Sequence, residues 1–537
     1  MQIKSINEPS PAPTASQTEA DSEIQEYLST SERRRRLFPR AALVGLGAGL
    51  IAALFRATLN GADIVRNELL IWSHNFPAFG WIFPILFSMA GAIASVMLVR
   101  RYAPEASGSG IPHLEAVMHR LKTLNWKRVL PVKFIAGALA IGGGLALGRE
   151  GPTVQMGASV GDAVSRWTKV SPGERRTLIA AGGGAGLAAA FNAPLAGVIF
   201  VLEEIRRDFH PIVFGAAFVA AAIADIVVRF IFGGVPVFGI PVYSNPPLAS
   251  LPIFAILGIL AGLLGVAFNR ALLGTMNLFA GLQSRLGLGI VAVVGAFAGL
   301  ISWYSPVAVG DGHTLAEIVL AGEFALTLIP LFFIIRFFLS ISSYGTGTAG
   351  GIFAPLLALG ALLGLAIGQI THSFAPMIAP EPAVFAVVGM AAYFAAIVRA
   401  PLTGIVLIIE MTGNYQQMLP LLIACFCAYA VAELLKDLPI YEALLERDLI
   451  RDGTHISLKK PMVIDLELER DAPFVGKEVR MLGLPSGVVL IRCLEAGREF
   501  VPTASTRLDA HTRITAVIAP EAIDGLAILR RGCKGKK

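Results

Sequence analysis

Charge is scarce in this chain of 537 residues. Only 15% are Asp, Glu, Lys or Arg, against roughly 25% in a soluble domain, and 55% are hydrophobic. With a mean hydropathy of +0.68, this excludes an ordinary soluble fold and indicates a polytopic membrane protein. Cysteine is nearly absent. The four present, Cys425, Cys427, Cys493 and Cys533, show no disulfide framework, and Cys425 and Cys427 lie in an apolar run without the partners of a zinc site. Eight histidines form no spaced ligand set, so no metal and no cofactor is expected. Nor does the apolar region offer a nucleophile–base pair, which argues against an enzyme. Large apolar residues are almost missing from the first 32 positions. No signal-peptide core stands there, and residues 1–36 are expected to form a disordered cytoplasmic tail. The net charge of +6 is spread over short loops, so nucleic acid is not an expected partner. Arg33 to Arg36 directly precede the first apolar span, 37 to about 59, and place the N-terminus in the cytoplasm.

Clean twenty-residue spans are also rare between 37 and 452. The apolar segments are uneven and broken by Gly and Pro, as in Phe191-Asn-Ala-Pro194 and Gly345-Thr-Gly-Thr-Ala-Gly-Gly351. Helices interrupted at membrane depth are tolerated where they line a cavity or pack inside protein, and breaks at comparable places in two halves point to a transport site. An inverted or duplicated repeat follows, about 38–232 and 251–452.

The central break is Gly148-Arg-Glu-Gly-Pro152. A carboxylate at bilayer depth costs about 2.5–3.5 kcal/mol on insertion scales, so Glu150 needs a cavity, a partner or a ligand. Pro152 suits the first turn of a helix starting at the break, whose free amides attract anions. The alternative is that Arg149 and Glu150 pair with each other at a membrane surface. Gly345-x-Gly347-x-x-Gly350 satisfies a dinucleotide-binding pattern, but no acid follows before Glu381 and no βαβ unit surrounds it. Gly350-Gly-Ile-Phe-Ala-Pro355 reads better as a second break, with the amides of Ile352 and Phe353 opening a half-helix toward an anion. Gly108-Ser-Gly-Ile-Pro112 precedes a short helix, with Ser109 as a hydroxyl donor or as part of an ordinary turn. A helix starting at Pro439 carries Tyr441, a phenolic donor or an interfacial belt residue.

These motifs together resemble the CLC family of chloride channels and chloride/proton antiporters. The resemblance implies an all-α polytopic membrane protein, a CLC-type inverted repeat of tilted, partly broken helices embedded in lipid, assembled as a homodimer with one anion pathway per subunit. It implies that Ser109, Tyr441 and the amides of Ile352 and Phe353 hold a dehydrated chloride. Glu150 would be the outer gate and proton carrier. Glu203 and Glu204 end an apolar run and read, by themselves, as a salt-bridged helix end; the resemblance assigns inner proton transfer to Glu204. Because passive family members usually lack an acid there, exchange of chloride for protons is expected, the alternative being a passive voltage- or pH-gated chloride channel. Ser109 stands where nitrate-preferring relatives carry proline, so chloride should be preferred over nitrate.

Residues 455–537 change character. Alternating segments at 462–469, 487–493, 498–501 and 513–518, with a short helix over 477–482, predict a small cytoplasmic α+β domain. It resembles the TrkA-C or RCK-C regulatory module through Pro473-Phe-Val-Gly-Lys477, Leu484-Pro-Ser-Gly487 and Glu499-Phe-Val-Pro502. Binding of a small cytoplasmic ligand and simple dimerisation both remain open for it. The resemblance as a whole implies a bacterial inner membrane with both termini cytoplasmic.

Overall fold

Backbone buried in lipid must satisfy its own amides and carbonyls, and sequence this apolar does so as helices. The computed structural model describes residues 15–234, 236–451, 462–495, 498–519, 522 and 524–534. The chain divides into two units, Met1–Leu445 and Glu446–Lys537.

The larger unit opens with α1 (Ala15–Ser73), α2 (Ile82–Tyr102), α3 (Ile111–Met118), α4 (Trp126–Gly142), α5 (Glu150–Trp167), α6 (Pro172–Phe191), α7 (Pro194–Phe200) and α8 (Pro211–Phe232). The same order then recurs as α9 (Leu251–Leu286), α10 (Gly289–Tyr304), α11 (His313–Leu320), α12 (Ile329–Gly345), α13 (Phe353–Phe374), α14 (Ala383–Val398), α15 (Pro401–Thr412) and α16 (Met418–Leu434), followed by α17 (Ile440–Arg451). Among the described residues, six helices are long and apolar enough to cross a membrane.

The two halves match in detail as well as in order. A 3-10 turn precedes α3 at Pro104–Ala106 and α11 at Pro306–Ala308. Gly108 and Gly110 have φ of +60° and +83°; Gly310 and Gly312 have +69° and +87°. A buried cation supports each loop. Lys133 Nζ donates to Ala106 O (2.9 Å) and Gly108 O (2.6 Å), and Arg336 Nη1 donates to Ala308 O (3.3 Å) and Gly310 O (2.8 Å). The capping is reciprocal: Glu410, near the end of α15, accepts from Leu195 N and Ala196 N of α7, while Glu203 accepts from Leu402 N and Thr403 N of α15.

Packing explains the glycine content of the paired helices. A Cβ on Gly157 or Gly182 would strike the other's backbone across α5 and α6, and the same holds for Gly360 and Gly389 across α13 and α14. Without a hydrophobic drive between helices in lipid, such close backbone approach supplies the dispersion contacts that hold them.

The smaller unit is an antiparallel sheet of order β1-β4-β2-β3, with β1 (Met462–Glu467), β2 (Val488–Glu495), β3 (Arg498–Phe500) and β4 (Arg513–Ile518), followed by α18 (Asp524–Cys533). Leu468, Phe474, Leu490, Cys493, Ile514 and Leu529 belong to its core.

Three expectations are corrected. Residues 15–36 continue α1 as helix where a disordered tail was expected; Ala, Gln, Glu, Leu and Arg there are strong helix formers and no proline intervenes before Pro39. Residues 1–14 lie outside the described residues. The first span does not stop near 59, because nothing in the sequence breaks the helix before Ser73. The helix expected over 477–482 is only a 3-10 turn at Val479–Met481, closed by Gly483 in the left-handed region and by Pro485.

Candidate functional site

Three loops that are far apart in sequence meet in the membrane unit. Gly108 N donates to Thr348 O (2.9 Å) and Gly350 N to Gly108 O (3.0 Å); Gly148 N donates to Gly351 O (2.7 Å) and Gly351 N to Gly148 O (2.8 Å). These bonds stitch the starts of α3, α5 and α13 together.

Glu150 is the first residue of α5 and is 1% exposed. Its Oε2 accepts from Ala354 N at 3.4 Å, so the carboxylate sits on the opening turn of α13. Among the described residues no ion pair joins it to Arg149, and the surface-pair alternative therefore fails. Gly148 is glycine because a Cβ there would overlap the Glu150 carboxylate; a Cβ on Gly151 would come within 2.8 Å of Ser109. Ser109 is fully buried, its Oγ accepting from Ile111 N (3.3 Å) and its own amide donating to Tyr344 Oη (3.4 Å).

The amides of Ile352 and Phe353 belong to the cap and first position of α13, where a helix leaves its donors free. The Phe353 ring is held against Phe191 and Phe394, with centroids 5.5 and 4.3 Å away. Tyr441, second in α17, is fully buried, and among the described residues its hydroxyl has no partner. That hydroxyl lies within electrostatic reach of both Glu150 and Glu204. Ser109, Glu150, Ile352 and Phe353 are thus tied into one site.

Glu204 sits apart, in a π-helical turn at Val201–Ile205 that continues α7. It is 3% exposed, beside Glu115 of α3, and 3.8 Å from Arg207. Glu203, its neighbour, is turned away to cap α15, where Thr403 Oγ1 also donates to it at 2.7 Å.

Glu115, Lys133, Tyr344 and Asp311 were not singled out by the sequence. Glu115 and Lys133 are ionisable residues within apolar runs, and the insertion cost of such residues was the available signal. Tyr344, inside an aromatic-rich helix, gave none. Asp311, which accepts from His313 N at 3.0 Å, lines a pocket with Arg149, Glu150, Phe191, Phe238 and His313 that opens onto the carboxylate. It reaches the site only through the doubled topology.

A buried carboxylate on a helix start, where free amides open toward it, fits a membrane protein that handles anions. The family described as "Voltage gated chloride channel" matches residues 90–433, and the chain belongs to this family, the CLC family, a family of transporters rather than enzymes. The chain is similar to the H(+)/Cl(-) exchange transporter ClcA of Vibrio parahaemolyticus, 41% identical over 435 residues that cover 80% of this chain and 93% of that one. It is also similar to ClcA of Salmonella paratyphi A, 39% identical over 425 residues, 78% of this chain and 90% of the other. Among solved structures, a slow cyanobacterial Cl-/H+ antiporter superposes with a TM-score of 0.75 at 38% identity, covering 78% of this chain and 99% of its own.

Proposed function

We propose that the protein is a chloride/proton antiporter. The observation that carries this reading is the Glu150 carboxylate seated on the first turn of α13, where an anion would otherwise be held. The relatives named as exchange transporters support it.

Dehydrating chloride costs far more than one hydrogen bond returns, since each is worth only about 0.5–1.5 kcal/mol net. Ser109 Oγ, Tyr441 Oη and the amides of Ile352 and Phe353 therefore act together. None carries a full charge, which leaves a site that the ion can also quit. Glu150 competes with chloride for the same donors. Its carboxylate is favoured when the site is empty and its neutral form when chloride fills it, so anion occupancy and protonation are linked. Glu204 transfers protons on the inner side, off the anion route. A channel needs no such acid, and its burial beside Glu115 favours exchange over a passive chloride leak.

The working form is a homodimer with a pathway in each subunit, in a bacterial inner membrane, with both termini cytoplasmic. The small unit acts as a TrkA-C-like regulatory domain, on which a cytoplasmic ligand tunes transport, and chloride is preferred over nitrate at Ser109. The experiment is Glu204→Gln in liposomes. Proton movement should fall to background while chloride still permeates; proton transport at the parent rate would remove Glu204 from the mechanism.

A further inference from the structure

The buried Glu204 lies beside the partly exposed guanidinium of Arg207. Arg207 follows the π-helical turn with φ +50°, a left-handed conformation that an L side chain adopts only under constraint. Its Nη1 is ion-paired with Glu442 Oε1, and its Nη2 lies 3.8 Å from Glu204 Oε1. Arg207 and Glu442 are 37% and 34% exposed, whereas Glu204 is 3% exposed. Glu115 Oε1 and Glu204 Oε1 are buried without hydrogen-bond partners among the described residues.

Among the described residues, the charged groups nearest in effect to Glu204 are Arg207 and Glu203 on its own segment, Glu115 on α3 and Glu442 on α17. Glu203 is committed to capping α15, and Arg206 turns to Asp208 at 3.6 Å. Among the described residues, one guanidinium is thus left for the carboxyl groups of Glu204, Glu115 and Glu442. It holds Glu442 and Glu204 unequally: its close contact is with Glu442, while the 3.8 Å approach to Glu204 lies outside hydrogen-bond distance.

We propose that Arg207 and Glu442 form an ionic latch that controls proton entry to Glu204 from the cytoplasmic side. With Glu442 ionised, it holds Arg207 and leaves Glu204 in its protonated form, beside Glu115. When Glu442 takes a proton from water, the guanidinium is released to Glu204 and stabilises its carboxylate as the Glu204 proton moves on toward the anion site; the Glu442 proton then passes to Glu204, and the ionised Glu442 takes Arg207 back. Arg207 remains charged throughout, and only protons change places. Both are positioning residues that act through Glu204. Glu442 also directly follows Tyr441, so the latch and the anion donor share the first turn of one helix.

This inference rests on the reading of Glu204 as the inner proton-transfer group. Proton flux should be measured against internal pH in liposomes, with chloride efflux and size-exclusion as controls for folding. Arg207→Gln removes the stabiliser of the Glu204 carboxylate and should shift the profile up by about one pH unit. Glu442→Gln frees the guanidinium for Glu204 and should shift it down by a similar amount. Arg207→Lys should restore much of the parent profile. A merely structural pair would lower both fluxes without opposed shifts. Profiles that move together, or do not move, overturn the latch, and Glu442→Gln alone decides the sign if Arg207→Gln does not fold. Proton transport surviving in Glu204→Gln would instead sink the reading of Glu204 itself.

Discussion

At the scale of single residues, the account turns on what Glu150 can do where it lies. Its carboxylate accepts from Ala354 N, and the two flanking glycines leave room for it and for Ser109. Glu150→Gln keeps the shape of the protonated acid but cannot release a proton. Chloride flux should persist and lose its dependence on pH, and proton coupling should vanish, as read by paired chloride and proton electrodes. The residue was legible because a carboxylate inside apolar sequence is costly and demands a reason. Ser109 and Tyr441 were harder to place. A serine between glycines and a tyrosine at a helix start are each ordinary alone, and only the pattern shared with a family set them apart. Glu115 and Arg207 escaped notice because their meaning lies in partners that are distant in sequence.

At the scale of elements, glycine decides how closely helices approach. The α5–α6 and α13–α14 pairs touch through Gly157 with Gly182 and Gly360 with Gly389. A side chain at any of these would force the helix starts that carry Glu150 and Phe353 away from their partners. Gly157→Val should therefore destabilise the protein by about 3 kcal/mol or more and lower its thermal midpoint in detergent, since overpacking alone typically costs about 1–3 kcal/mol. An unchanged midpoint would mean that the helices repack freely. The helix breaks could be read from Gly and Pro, and α3, α5, α13 and α17 begin within a residue or two of where those residues placed them. The N-terminal end of α1 could not, because a polar run of good helix formers reads equally well as a solvated tail.

For the whole molecule, doubling is the organising fact. One order of eight helices occurs twice, with Lys133 and Arg336 supporting equivalent loops, so each half contributes helix starts to the same place. Every residue assigned to ion handling precedes the second unit. Coupling between a regulatory domain and a site is typically about 1–3 kcal/mol, enough to alter a rate several-fold but not to create selectivity. A chain ending at Asp452 should stay chloride-selective and proton-coupled with an altered rate; a folded truncation that moves chloride without protons would place the small unit inside the mechanism. The central claim is exchange, and it has a direct measurement. Purified protein in liposomes, given an outward chloride gradient and no proton gradient, should drive protons inward against a growing pH difference. Chloride efflux with no proton movement, under conditions where the membrane voltage is clamped, would contradict it and leave a passive anion channel on the same fold.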